Sequence, residues 1–365
     1  MQNAVMPQSV KALALATCLF LPVAGTAAQA AEAPKVVVSI KPLYGVVASV
    51  MDGVGAPKLT LDGFSSPHDF SMQPSQAQML ADADLVVWAG PVVEAFLQKP
   101  LANSDAPVLT MIEQNGMTLY PIRNSGIWEH DHDHGEHDEH GHDEHTEHDD
   151  HGHDEHGHEE HAEHDDHGHD DHGHDEHAEH DDHGHDENSE DELADGHLWL
   201  DPSNAAALAT AVAAKLGEID PDHAAAYKSN AAAFGETIAA TKQALAERLQ
   251  PVQGKPYIVF HDAYQYFEKA FSLSGAGAVT IEPHIRPGAA TLAELQEAVQ
   301  ERDVVCVFGE PQFPPASVET IAAGTTANYG TLDPLGVETS ASPQSYVELM
   351  NNLADALVGC LSQQG

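Results

Sequence analysis

The chain has 365 residues, 59 acidic against 14 basic side chains, and a formal net charge of −45. No basic stretch exists to neutralise phosphates, so nucleic acid is excluded as a partner. The acidity is concentrated: Glu129 to Asp195 holds 31 of the acids and no Lys or Arg, and His130 to His185 holds 22 of the 27 histidines, while the remaining chain is long enough for two cores.

Lys11 precedes an apolar run, Ala12 to Val23, and a small-residue stretch ending Ala28-Gln29-Ala30. A charged end, an apolar middle and a small-residue cut site predict a secretory leader over residues 1–30, cleaved near Ala30. The run is too short to span a bilayer. A lipid anchor on Cys18 is the competing reading. Thr17 is bulkier than that processing favours, and the run stays apolar past Cys18. Two cysteines then remain, Cys306 and Cys360, and an even pair in an oxidising compartment favours a disulfide.

Beyond the leader, strands alternate with helices. Val36 to Ile40, Leu85 to Gly90 and Val108 to Thr110 read as strands; Val46 to Met51, Ser75 to Ala83 and Val92 to Gln98 read as helices. That alternation predicts a mainly parallel sheet in a first lobe, residues 31–221, closed by an alanine-rich helix over Ala205 to Leu216. Asp222 to Leu249 has no internal proline and carries apolar residues at helical spacing, so residues 222–250 read as one linking helix about 40 Å long. A second alternating series follows in residues 251–365. Its strands are Tyr257 to Phe260, Ala278 to Thr280 and Val304 to Phe308; its helices are Tyr264 to Ala270, Thr291 to Arg302, Pro315 to Ala323 and Gln344 to Leu361. The expected class is α/β, with two lobes joined by a long helix. Nothing indicates a coiled coil or an exposed apolar face, and a monomer is expected.

The acidic block interrupts the first lobe. Within it HDDHGHD recurs at His148, His164 and His180, and no Leu, Ile, Val or aromatic residue lies between His130 and His185. Such a segment cannot bury enough apolar surface to offset the entropy of ordering, so residues 129–195 are expected to form a disordered insertion. Its imidazoles, beginning with His130, His132, His134, His137, His140, His142, His145, His148, His151 and His153, make it an accessory metal-binding tract.

Three histidines lie where ordered structure starts or stops. His68 follows an irregular Gly/Ser segment, His197 opens the element after the tract, and His261 ends a strand. In open α/β sheets ligands bind beyond the carboxyl ends of strands, and three neutral imidazoles leave room for one further zinc donor. Asp333 supplies a candidate oxygen. Taken singly, each histidine also fits a hydrogen-bonded structural role, and Asp333 fits a turn.

The strings SPHDFSMQPSQ from Ser66, HLWLDPSN from His197, FHDAYQYFEKAF from Phe260, EPQFPP from Glu310 and GTLDPLG from Gly330 together resemble the ZnuA-like zinc-binding receptors of bacterial ABC importers. The resemblance covers essentially the whole mature chain, the His-rich insertion included. It implies a periplasmic protein of two lobes around a rigid helix, with one Zn²⁺ held between them by His68, His197 and His261. It also implies that Cys306 and Cys360 pair, and that a membrane permease with its cytoplasmic ATPase receives the metal. Related manganese receptors place Glu where this chain has His261, and three nitrogens favour zinc. The zinc family often has an acidic residue just before the first histidine. Pro67 stands there, leaving the fourth position open to water, Asp333 or a tract histidine. Glu310 resembles a position near the cleft and is a candidate to orient an imidazole, with Arg286 as a possible partner.

The expected function is capture of Zn²⁺ in an interlobe cleft and its delivery to the importer, with the tract collecting, delivering or sensing zinc and no reaction catalysed. A metal-storage protein is the alternative reading. A zinc hydrolase is weaker, because no HExxH-type string or evident general base accompanies His68 or His197.

Overall fold

A computed structural model describes residues 32–61, 65–123, 127–128, 193–280, 283 and 287–363. The expected leader, residues 129–192 of the expected insertion, and Arg286 lie outside the described residues; Leu193 to Asp195, expected within that insertion, belong instead to the folded part, where Ala194 pairs with Pro121 and Asp195 is buried.

The first sheet is built around two short apolar strands, β1 (Val36–Ile40) and β3 (Leu85–Trp88), every residue of which is buried. Runs without polar alternation are what a parallel strand covered on both faces requires. They are flanked by β2 (Lys58–Leu61) and β4 (Val108–Thr110) in the order β2-β1-β3-β4, all parallel. The second sheet repeats the plan. β5 (Tyr257–His261) and β7 (Cys306–Gly309) lie at the centre, β6 (Gly275–Thr280) and β8 (Asn328–Thr331) at the edges, in the order β6-β5-β7-β8.

The helices are α1 (Lys41–Val50), α2 (Pro74–Ala81), α3 (Ala95–Ala102), α4 (Pro202–Ile219), α5 (Ala224–Leu249), α6 (Gln265–Phe271), α7 (Ala289–Glu301), α8 (Ala316–Ala323) and α9 (Ser345–Leu361). Proline in the first turn starts α1, α2 and α4, where its fixed φ suits the helix and its missing N–H is not needed. Asp201 caps α4 by accepting from the amide of Ser203. α1 thus begins at Lys41, five residues before the sequence signal.

One continuous core joins the two sheets. Val36, Val38 and Ile40 of β1 pack in the same cluster as Tyr257 and Val259 of β5, through Leu208, Phe234, Tyr346 and Leu353 of α4, α5 and α9. The 26-residue helix α5 buries Tyr227, Ala231, Phe234, Ile238, Leu245 and Leu249, a stripe at helical spacing. Smaller clusters cover the outer faces, with Leu80 and Leu97 on the first sheet and Leu295, Val299, Val318 and Ile321 on the second. Cys306 at the start of β7 is disulfide-bonded to Cys360 in α9, tying the last helix to the second sheet. No helix among the described residues is long and apolar enough to cross a membrane.

Candidate metal centre

Strand periodicity aims the first candidate ligand. Tyr257 and Val259 of β5 point into the shared core while Ile258 and Phe260 point to the outer cluster, so His261, the last residue of β5, continues the inward row. His261 is the one histidine of the three at a strand end. His68 sits instead in a short 3-10 turn, Pro67–Asp69, whose start is capped by Ser66 Oγ accepting from the His68 amide. His197 immediately precedes another such turn, Leu198–Leu200. Short turns rather than strand ends thus present the rings of His68 and His197.

The structure brings the three rings together. His68 Nε2 and His197 Nε2 are 3.2 Å apart, and His261 Nε2 and His197 Nε2 are 3.3 Å apart. Among the described residues these three form the group of His, Cys, Asp and Glu donors able to hold a metal ion. His197 and His261 are buried and His68 half-buried.

The second nitrogen of two rings is engaged by a carboxylate. Nδ1 of His261 lies 2.7 Å from Glu310 Oε1, and Nδ1 of His197 lies 2.8 Å from Asp195 Oδ1. A carboxylate accepts, so each Nδ1 carries the proton and each Nε2 presents a bare lone pair. Two bare nitrogens at 3.3 Å cannot hydrogen-bond to one another and repel unless a cation lies between them. Zn–N bonds of about 2.0–2.1 Å in a tetrahedron place nitrogens about 3.3 Å apart. The separations of 3.2 and 3.3 Å from His197 Nε2 match that spacing.

Asp195 was not among the residues expected from sequence. The signal available is its place two residues ahead of His197, but it reads there as one more acid of the tract. Its Oδ1 also accepts from the His197 amide, and its carbonyl accepts from the Tyr266 hydroxyl, so backbone and ring are oriented together. Glu310 lies just beyond β7, next to β5 in the sheet, which is why it can reach His261. Burial, then the neighbouring Glu310 and Asp333 carboxylates, push the Tyr264 hydroxyl well above the ordinary phenol range, so it stays protonated beside the site.

Asp333 is not part of the donor group. Its Oδ1 accepts from the amides of Leu335 and Gly336 and from Gln312 Nε2, and its Oδ2 accepts from the amide of Val337. Its carboxylate organises the loop of which it is part. The cavity between the rings is about 10 Å³, room for little more than one water-sized occupant, and is walled by Trp199, Phe313, Pro334 and Leu335 among others. Trp199 spans the two halves of the chain: its indole donates to the Pro334 carbonyl and its own carbonyl accepts from the Tyr346 hydroxyl.

The sequence pattern of the family described as zinc-uptake complex component A, periplasmic (ZnuA), matches residues 36–360. The chain belongs to the ZnuA family. It is 46% identical over 336 residues to the high-affinity zinc uptake system protein ZnuA of Brucella suis, covering 92% of this chain and 93% of that protein. The protein of the same name from Yersinia pestis is 36% identical over 331 residues, covering 89% and 91%. A crystal structure of ZnuA superposes with a TM-score of 0.64 at 23% identity, covering 90% of this chain and 99% of that one, which shows a shared two-sheet fold.

Proposed function

We propose that this ZnuA-family chain is the extracytoplasmic receptor that captures Zn²⁺ between its two sheets and delivers it to the permease of an ABC importer driven by a cytoplasmic ATPase. The observation that carries the reading is the convergence of three imidazoles, with His68 Nε2 and His261 Nε2 at 3.2 and 3.3 Å from His197 Nε2 and two of the rings backed by carboxylates. His68, His197 and His261 are the proposed zinc ligands; Glu310 and Asp195 hold two rings in the ligating tautomer. Zinc is cargo, held without covalent chemistry. The proposed organisation is a leader over residues 1–30 cut near Ala30, lobes over 31–221 and 251–365, and a linking helix over 222–250 in a periplasmic monomer. The tract from His130 to His185 collects, delivers or senses zinc at weaker sites, because arranging a donor-rich segment around metal costs chain entropy that the preformed site does not.

The test is zinc stoichiometry under chelator competition on the mature protein and on a variant lacking residues 130–185, each with and without His68, His197 and His261 changed to Ala. One tight zinc that survives truncation and disappears with the triple change supports the reading. Loss of all tight binding on truncation makes storage by the tract the better account.

A further inference from the structure

Gln312 lines the same cavity as His68, His197 and His261, and its Oε1 is buried without a hydrogen-bond partner. Its other amide atom is spoken for: Nε2 donates to Asp333 Oδ1 at 2.9 Å. That contact also settles which way the amide faces, since a carboxylate only accepts and the NH₂ end must meet it. Asp333 cannot turn away, being anchored by the amides of Leu335, Gly336 and Val337. A buried carbonyl oxygen left unpaired is costly unless a ligand satisfies it. The small cavity that Gln312 lines is a place for one.

We infer that Gln312 is a positioning residue for the cargo: its Oε1 accepts a hydrogen bond from the water that fills the fourth coordination position of zinc. The proposal rests on the zinc-receptor reading and adds the group that completes the site. Asp333 acts through Gln312, orienting the amide rather than ligating the ion. The three nitrogen donors suit zinc and disfavour harder ions that call for several oxygen ligands.

The experiment uses Gln312→Leu, which removes the acceptor, and Asp333→Asn, which removes the charge that dictates the orientation of the amide. Each is compared with the parent for zinc affinity by chelator competition and, loaded with Co²⁺, for its visible spectrum during an azide titration. Thermal melting of the zinc-free proteins checks that each is folded. The parent spectrum is expected to shift as azide displaces the water. Gln312→Leu is expected to bind zinc about ten-fold more weakly and azide more tightly, because the lone pair that repels an anion is gone. Asp333→Asn should move both in the same direction by less. Unchanged zinc and azide binding in a folded Gln312→Leu protein overturns the proposal while leaving the receptor reading intact. A parent spectrum indifferent to azide, made sensitive by Gln312→Leu, also overturns it, since Gln312 would then be a direct ligand. Absence of a tight cleft zinc in the parent defeats the receptor reading itself.

Discussion

His261 Nδ1 and Glu310 Oε1 meet at 2.7 Å, with side chains only 4% and 1% exposed, His261 ending β5 and Glu310 directly following the neighbouring β7. The pair holds the imidazole with its Nε2 lone pair facing His197. Removing the acceptor leaves the ring free to take the wrong tautomer. Glu310→Ala is therefore expected to lower zinc affinity by about 10- to 100-fold, measured by competition with a chelator of known strength. An affinity equal to the parent's would mean that packing alone orients His261.

A second relationship, centred on Arg123, bears on stability. Its Nε lies 2.8 Å from Asp262 Oδ2, its Nη1 lies 2.8 Å from Glu268 Oε2, and its guanidinium lies 3.3 Å from the Trp128 ring centroid. Trp128 in turn donates its amide to the Ala276 carbonyl of β6. Burial works against the charge of Arg123, but the Glu268 and Asp262 carboxylates outweigh it and hold the group above the ordinary guanidinium range. Arg123→Ala leaves two carboxylates, each 6% exposed, without their cation. A loss of about 3–5 kcal/mol is expected, read from denaturant unfolding of the zinc-free protein. Zinc affinity should fall too, because Asp262 directly follows His261. A loss below about 1 kcal/mol would place the network in the class of exposed ion pairs.

Glu94 makes stability depend on pH. It is fully buried, its Oε2 accepts from the amide of Ala89, and burial pushes its carboxyl up from 4.5 to about 7, against the pull of Ser39 and the Ala89 and Gly90 amides. A carboxyl raised on folding contributes stability that is complete below about pH 4.5 and is lost as pH rises through about 7. The shift corresponds to roughly 3 kcal/mol. Glu94→Gln keeps an acceptor for the amides and has no proton to lose. Relative to the parent, it is expected to gain stability between about pH 5 and about pH 8, measured as the difference in unfolding midpoint at the two pH values. A difference that does not change with pH would show that Glu94 does not titrate in this window.

The disulfide between Cys306 and Cys360 closes a loop with a sequence separation of 54. In the chain-entropy model a loop of that size is worth about 4 kcal/mol. Replacing both cysteines by Ser is expected to lower the unfolding free energy by that order, and with it the midpoint, while leaving the ligand group in place, since Cys306 opens β7 and the site lies beyond its far end. Zinc affinity close to the parent's, alongside the lower midpoint, is the expected pair of results. A large loss of zinc affinity would show that α9 must be pinned for the site to form.

The central strands were legible because their chemistry is local: Leu85 to Trp88 and Tyr257 to Phe260 lack polar alternation, and Val36 to Ile40 is apolar except for the buried Ser39, as strands covered on both faces require. The strands absent from the sequence reading are β2, Lys58–Leu61, and β8, Asn328–Thr331. Both lie at sheet edges and are partly exposed, so each carries lysine, asparagine, threonine or glycine and little apolar signal. The first half of β6 was missed for a related reason. Gly275 and Gly277 are poor strand formers, and Gly275 is required because a Cβ there would lie 2.2 Å from Glu268 Oε1.

The sequence by itself determined the donor chemistry and the frame: three histidines outside the repeat, a two-lobe alternation of strands and helices, one long helix, and a pair of cysteines. Those properties reside in residue type and in spacing over one or two turns. Only the tertiary structure decided that His68 and His197, 129 positions apart, and His197 and His261, 64 apart, place their Nε2 atoms within 3.3 Å. Only it decided that Asp195 and Glu310 set the tautomers, that Asp333 is consumed by its own loop, and that Gln312 is left with an unpaired oxygen at the cavity. The physical reason is that a donor's availability depends on which other polar groups have already claimed its lone pairs, and those claims are made across the packed core by residues that no local pattern joins.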